Sequence, residues 1–191
     1  MRAFIAIELP KEIKSALAKI QEELKSSNDD VRWVEPKNIH LTLKFLGEID
    51  EEKFNKLTKI IDDIVKTKNI FHMNLSSFGA FPDIKYPRVI WAGADKGDAE
   101  LKVIVKELEN KIQKIGIPKE NRAFSSHITI GRVRSGLNKD KLKQKLEELS
   151  KTTPARKTVE FEVKKITLFK STLTSKGPIY ETIHQANFLN T

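Results

Sequence analysis

The sequence predicts an α+β protein of two pseudosymmetric lobes, each a mainly antiparallel sheet with two helices on its outer face, with a central cleft between the lobes. Three observations carry this. Segments with helical and strand periodicity alternate along the 191 residues. The order strand, helix, strand, helix, strand runs from Arg2 to Phe81 and restarts at Arg88. Landmarks in the two runs keep a nearly constant offset: Arg2 to Arg88 is 86, His40 to His127 is 87, Phe54 to Leu142 is 88 and Phe71 to Phe161 is 90. Two copies of this size exclude a solenoid, which needs more. The expected organisation is a single two-lobed domain over 1–191, with repeats of about 1–84 and 85–191. Exchange of a strand between the lobes is compatible with the pattern.

The elements follow in order. "RAFIAIEL" opens as a strand. "KEIKSALAKIQEEL" keeps Ile13, Leu17, Ile20 and Leu24 on one helical face. "IHLTLKFL" alternates, with Ile39, Leu41, Leu43 and Phe45 on one side and His40, Thr42 and Lys44 on the other. "EEKFNKLTKIIDDIV" is a second helix, with Asp50 as N-cap and Phe54, Leu57, Ile61 and Ile64 as its apolar stripe. "FHMNLSSFGAF" follows as a strand, and the Gly, Pro and Ser of "SSFGAFPDIKYP" mark the lobe junction. The second copy supplies "RVIWAGA", the helix "AELKVIVKELENKI", the strand "SSHITIGRV", the helix "KDKLKQKLEELS" and the strand "VEFEVKKITLF". A last strand, "YETIHQANF", has no counterpart in the first copy.

Composition narrows the function. The absence of cysteine excludes disulfides, thiol catalysis and thiolate metal ligands. No apolar run approaches the length of a membrane span, and "MRAFIAIELP" is too short for a secretory leader before it meets Pro10, so a cytoplasmic protein is expected. The formal net charge of +9 and the pI of about 9.6 favour a polyanionic partner, nucleic acid first. Lys- and Glu-laced helices without cysteine also describe ordinary thermophile surfaces, so charge alone decides nothing.

The chemistry sits in "IHLTLKFLGE" and "SHITIGRVRS". Each holds His-x-Thr-x with x apolar, so His40 and Thr42 share one strand face and His127 and Thr129 another. One such motif describes many solvent-facing strands. Two copies in the same slot of a repeat place both pairs at the pseudo-twofold cleft. Two imidazoles can act as base and acid across one reacting centre, and hydroxyls suit the oxygens of a phosphodiester. A metal is the rival use of the histidines, disfavoured because neither motif brings a carboxylate or a third histidine.

These segments resemble the 2H phosphoesterases, and within them the RNA 2′,3′-cyclic phosphodiesterases also called 2′-5′ RNA ligases. "RAFIAIELP", "RWVEPKNIHLTLKFLGEI", "SSFGAFP", "RVIWAG", "FSSHITIGRVR" and "ITLFKSTLTSKGPIYETI" carry the resemblance over nearly the whole chain. It implies hydrolysis of a terminal 2′,3′-cyclic phosphate on RNA to a 2′-phosphate, without metal or other cofactor, accompanied in several members by reversible 2′-5′ joining of RNA ends. A monomer acting on RNA ends such as tRNA halves is expected. It makes His40 the general acid, His127 the general base, Thr42 and Thr129 phosphate ligands, and Arg132 a charge-stabilising one. Strict alternation puts Gly131 on the cleft face and Arg132 on the other; a bulge at Gly131 would turn Arg132 inward. Lys44 has cleft-side parity and is a further phosphate candidate. Trp33 and Trp91 are either base-stacking or core indoles, the core being favoured, while His72 and His184 lack the Thr and are expected to be structural or exposed. Rival functions are RNA 2′-5′ ligation as the main role, a 2H phosphodiesterase for another cyclic or 2′-5′ nucleotide, and a noncatalytic RNA-binding protein.

Overall fold

The computed structural model describes residues 1–152, 159–175 and 177–190. Its strands are β1 (Arg2–Glu8), β2 (Val31–Trp33), β3 (His40–Glu48), β4 (Phe71–Asn74), β5 (Ser77–Phe81), β6 (Val89–Gly93), β7 (His127–Val133), β8 (Glu160–Val163), β9 (Lys165–Thr174) and β10 (Gly177–Asn187). The helices are α1 (Lys11–Lys25), α2 (Glu51–Val65), α3 (Asp98–Gln113) and α4 (Lys139–Thr152). All four predicted helices form and bury an apolar stripe: Ile13, Leu17, Ile20 and Leu24 in α1, Leu57, Ile61 and Ile64 in α2, and Leu142, Leu146 and Leu149 in α4. Phe54, at the start of the predicted α2 stripe, is only partly buried. Asp50 caps α2 as expected, its carboxylate accepting the Lys53 backbone N–H at 2.8 Å.

Two predicted strands divide. "FHMNLSSFGAF" becomes β4 and β5, and "VEFEVKKITLF" becomes β8 and β9, because β4 and β8 pair with each other in a separate two-stranded sheet. Strand β2 carries too short an alternation to be recognised in the sequence. It forms by pairing with β7, Arg32 opposite Arg132 and Trp33 opposite Gly131.

The main sheet runs β10-β9-β1-β3-β7-β6-β5, with β2 also on β7, and its named pairings are antiparallel. Its two halves meet at one registered pair, Leu41 opposite Ile128, both fully buried. Elements of the two repeats are exchanged across that seam. Helix α1 of the first repeat packs against β7 and α4 of the second, and α4 packs against β5 of the first. Reciprocally, α3 packs against β3 and α2, while β9 pairs with β1. A repeat therefore does not bury its own strands under its own two helices. The amphipathic stripes are satisfied by the other repeat's sheet, which commits both halves to one core.

Among the described residues, no helix is long and apolar enough to cross a membrane.

Candidate active site

Antiparallel register around the Leu41–Ile128 pair sets His40 beside Thr129 and Thr42 beside His127 on the face turned away from the helices. Facing residues in such a ladder have Cβ atoms roughly 5 Å apart, so four polar side chains converge on one patch. Leu41, Leu43, Ile128 and Ile130 anchor the opposite face in the core.

Both imidazoles are held the same way. His40 donates Nδ1–H to the Asn38 carbonyl at 2.7 Å, and His127 donates Nδ1–H to the Ser125 carbonyl at 2.9 Å. That bond selects the tautomer, leaving Nε2 with its lone pair and no protein partner among the described residues. The Thr42 and Thr129 hydroxyls likewise have no hydrogen-bond partner among the described residues, although both residues are half-buried. Unspent donors and acceptors gathered at one point are what a polar ligand needs.

The surroundings differ. His40 lies in an aromatic wall, with its ring centroid 4.8 Å from Phe4, 5.3 Å edge-on from Tyr180 and 6.3 Å from Phe169. Burial there pushes its pKa below the usual imidazole value, only partly offset by the Asn38 carbonyl, and Lys14 adds to the lowering. His127 meets Phe81 edge-on at 5.1 Å, and Phe81 in turn lies 5.3 Å from Trp91.

Two bulges decide which further side chains reach this face. In β3 the pairing passes from Thr42, opposite Ala6, to Lys44, opposite Ile5, so Leu43 is the extra residue. From there the alternation is inverted. Lys44 is 2 % exposed on the helix side, and Phe45, assigned to the core by strict alternation, is 58 % exposed. The placement of Lys44 in the cleft is therefore corrected. Its ammonium donates to the Pro118 carbonyl at 2.7 Å and pairs with Glu109 of α3 at 2.9 Å and Glu120 at 3.7 Å.

In β7 the pairing passes from Thr129, opposite Trp91, to Gly131, opposite Ile90, so Ile130 is the extra residue. This bulge turns Arg132 onto the cleft face, exposed and opposite Val89. Gln21 of α1, 2 % exposed, holds the bulge: its amide donates to the Ile130 carbonyl at 2.9 Å and to the Val34 carbonyl at 2.7 Å. Gly131 then faces the core, where a Cβ would meet Val31 at 2.8 Å and the Trp33 ring at 3.0 Å. Trp33 is thus a core-side indole. Trp91 is not; it lies on the cleft face across Gly79, whose Cβ would strike the indole at 2.6 Å. His184 bonds Asp62 at 2.7 Å, and His72 is half-exposed near Glu162, both far along the chain from the motifs.

Sequence reasoning missed Arg32, Arg2 and Tyr180. Arg32 shares the cleft face with Arg132 through β2, and Tyr180 feels the charges of Arg132, Arg2 and Arg32. The signal was present in "RWV" and in "IYETI", but nothing local says that these strands border the same cleft. Among the described residues, no three His, Asp or Glu side chains are grouped so as to hold a metal ion.

The model of LigT-like phosphoesterases matches the sequence over residues 7–91 and 93–180, one repeat each. The chain belongs to the LigT-like phosphoesterase family. Among its relatives in this family, a Methanocaldococcus jannaschii protein named RNA 2′,3′-cyclic phosphodiesterase is 42% identical over 185 residues, covering 97% of this chain and 99% of its own. An Aquifex aeolicus protein of the same name is 38% identical, covering 97% of this chain and 96% of its own. Among LigT-like folds, a crystal structure from Thermus thermophilus superposes with a TM-score of 0.80 at 26% identity, covering 98% of each chain. Apo LigT of E. coli gives 0.75 at 25% identity, covering 98% of this chain and 96% of its own. The two-lobed α+β architecture is thus that of the family.

Proposed function

We propose that the protein hydrolyses 2′,3′-cyclic phosphodiester ends of RNA to 2′-phosphomonoesters by two-histidine acid/base catalysis. The observation that carries the reading is the pair of equivalent His/Thr sets around Leu41 and Ile128, each histidine with Nδ1 tied to a backbone carbonyl. Family membership and the names of its relatives support the substrate class.

His127 Nε2 takes a proton from water, whose oxygen attacks phosphorus from one side. The bond to the ribose 3′ oxygen breaks on the other side, and His40 Nε2 supplies the proton that this oxygen needs. The 2′ ester bond stays intact, so the product is a 2′-phosphate. Thr42 and Thr129 hydroxyls donate to the non-bridging oxygens, and Arg132 offsets their charge; these preorganised donors cost no reorganisation during the reaction. All of this is the work of the chain's own side chains, and the reaction needs no redox partner. RNA in the cytoplasm is the proposed partner, in keeping with the basic charge.

The test is incubation with RNA ending in a 2′,3′-cyclic phosphate, in EDTA, with the end group followed by mass. A 2′-phosphate product that disappears in His40→Ala and His127→Ala variants supports the reading; no product above those controls overturns it. A second reading, 2′-5′ joining, has one observation in its favour. Phe81 and Trp91 beside His127 offer ring surface to a nucleoside whose hydroxyl replaces the water.

A further inference from the structure

Arginine and lysine are used differently in this molecule. Among the described residues, the ion pairs are made by lysines, by histidines and by the amino terminus, and none by an arginine. Two of these unpaired guanidinium groups, Arg32 and Arg132, stand directly opposite each other on β2 and β7, both exposed on the cleft face. Like charges in facing register repel, and no acidic side chain among the described residues forms an ion pair with either. Across the cleft, the β9–β10 hairpin comes up to the same place. The Arg32 Nη2 atom lies 3.2 Å from where a Cβ on Gly177 would sit, so the guanidinium rests directly against the hairpin backbone. Asn38, next to the His40 loop, donates to the Pro178 carbonyl at 3.1 Å and ties the hairpin down. Arg2, two residues before Phe4 on the same face of β1, and Tyr180, on β10 and edge-on to Phe4 at 4.9 Å, border the same place, and the positive charges of Arg132, Arg2 and Arg32 all act on the Tyr180 hydroxyl.

We infer that Arg2 and Arg32, beside the Arg132 that serves the reacting phosphate, form a second phosphate site, which binds the phosphodiester on the 5′ side of the nucleotide carrying the cyclic phosphate. The site therefore makes the protein selective for oligonucleotide ends over nucleoside cyclic phosphates. Spacing supports the assignment. With Ile130 bulged out, Arg132 and the Arg32 opposite it stand about two strand steps, roughly 7 Å, beyond Thr129. That is about the separation of successive phosphates along a nucleic-acid strand. Arg132 reaches back to the reacting phosphate, and Arg32, on the neighbouring strand, is left for the next one. Side matters as well. A ribose whose 3′ oxygen receives the proton from His40 would rest against Phe4 and Tyr180, the side of the cleft on which Arg2 and Arg32 stand. Guanidinium is the group of choice for such a site, because its planar fork meets two phosphate oxygens at once.

The inference rests on the cyclic phosphodiesterase reading, and the experiment separates the two. Three substrates are compared on wild type: a nucleoside 2′,3′-cyclic phosphate, the same compound with a 5′-phosphate, and a trinucleotide ending in the cyclic phosphate. Failure to hydrolyse any of them removes the enzyme reading itself. Hydrolysis of all three at equal kcat/KM removes only the second site. The expected result is a gain on the order of tenfold to a hundredfold on adding the 5′ phosphate, the range of a charged hydrogen-bonded contact. A gain confined to the trinucleotide means that a diester is required; a gain with the 5′-phosphate alone means that one anion suffices, and either supports the site.

In Arg32→Gln that gain shrinks towards one, through KM rather than kcat, and the slope of log kcat/KM against log salt becomes shallower by about 0.7. Arg32→Lys recovers part of it. The same Gln variant unfolds at equal or higher temperature at low salt, because a repulsive pair has been removed; a purely structural arginine would do the reverse. An undiminished gain in both Arg32→Gln and Arg2→Gln overturns the proposal.

Discussion

The His40 and His127 halves of the cleft share a plan and differ in what the plan delivers. Each has a strand with His-x-Thr, one extra residue just after it, and a helix from the other repeat reaching up beneath that bulge. At the His127 half the helix residue is Gln21, the bulged residue Ile130, and the next two are Gly131 and Arg132. At the His40 half the corresponding residues are Glu109, Leu43, Lys44 and Phe45. A neutral amide satisfying two backbone carbonyls has been replaced by a buried ion pair, and a cleft arginine by a phenylalanine. One backbone device thus gives a cationic wall on one side and an aromatic wall on the other. The aromatic side desolvates its histidine; in the proposed reaction the cationic side meets the phosphate.

The sharpest break in this comparison comes from the residues the halves have in common. His40→Ala and His127→Ala should each cost about 10²–10⁴ in turnover of a cyclic-phosphate RNA end, the scale of a lost acid or base. A large loss in one and a small loss in the other, by single-turnover kinetics, would mean that the halves are not chemical partners.

The exchanged pair comes next. Lys44→Met leaves Glu109, a largely covered carboxylate, without its cation, which should cost about 3 kcal/mol in denaturant unfolding, the low end for a broken buried pair, while kcat/KM stays within about twofold of wild type. The double variant Lys44→Met/Glu109→Leu should recover most of that stability. Arg132→Gln is the mirror experiment: stability held, activity lost. If Lys44→Met instead abolished turnover in a folded protein, its assignment to the core would be wrong.

Gln21→Leu tests the other bulge more gently. Two buried carbonyls lose their donor, at a cost of about 1–3 kcal/mol. Because Arg132 depends on that bulge for its direction, KM for the RNA end should rise as well, and more than in a surface variant of equal stability.

The smallest effect is the position of a pH limb. His40 acts protonated, so kcat/KM should fall as pH rises through its pKa, and burial sets that fall below the ordinary value of about 6.5. In the complex, the phosphate charge favours the protonated ring, so the same limb in kcat should lie at higher pH. Tyr180→Ser, by admitting water, should move the kcat/KM limb upwards. The linked stability has the opposite sense: the depressed pKa gives stability that is full above about 6.5 and lost as pH falls through the folded value. A limb that falls on the acid side instead would make His40 the base.

Much of this was legible in advance. The helices announced themselves through stripes of three or four apolar residues, and the His/Thr sets through their recurrence. Lys44, Phe45 and Arg132 were harder for one physical reason: alternation holds only while two strands stay in step. A bulge inverts it, and its occurrence depends on what lies across the ladder and beneath it. For Arg132 the glycine before it was a usable hint. For Lys44 there was none, and strict parity led to the wrong face. Trp91 joined the cleft rather than the core because Gly79, twelve residues earlier, leaves space for its ring.

By itself, then, the sequence determined the elements, their duplication, and the identity of the four groups at the centre, since periodicity and recurrence are properties of the chain alone. Only the tertiary structure decided which helix lies under which half, where the ladders slip, and which cations face the cleft. An amphipathic face requires a partner without naming it, and a strand's register belongs to the pair rather than to either strand.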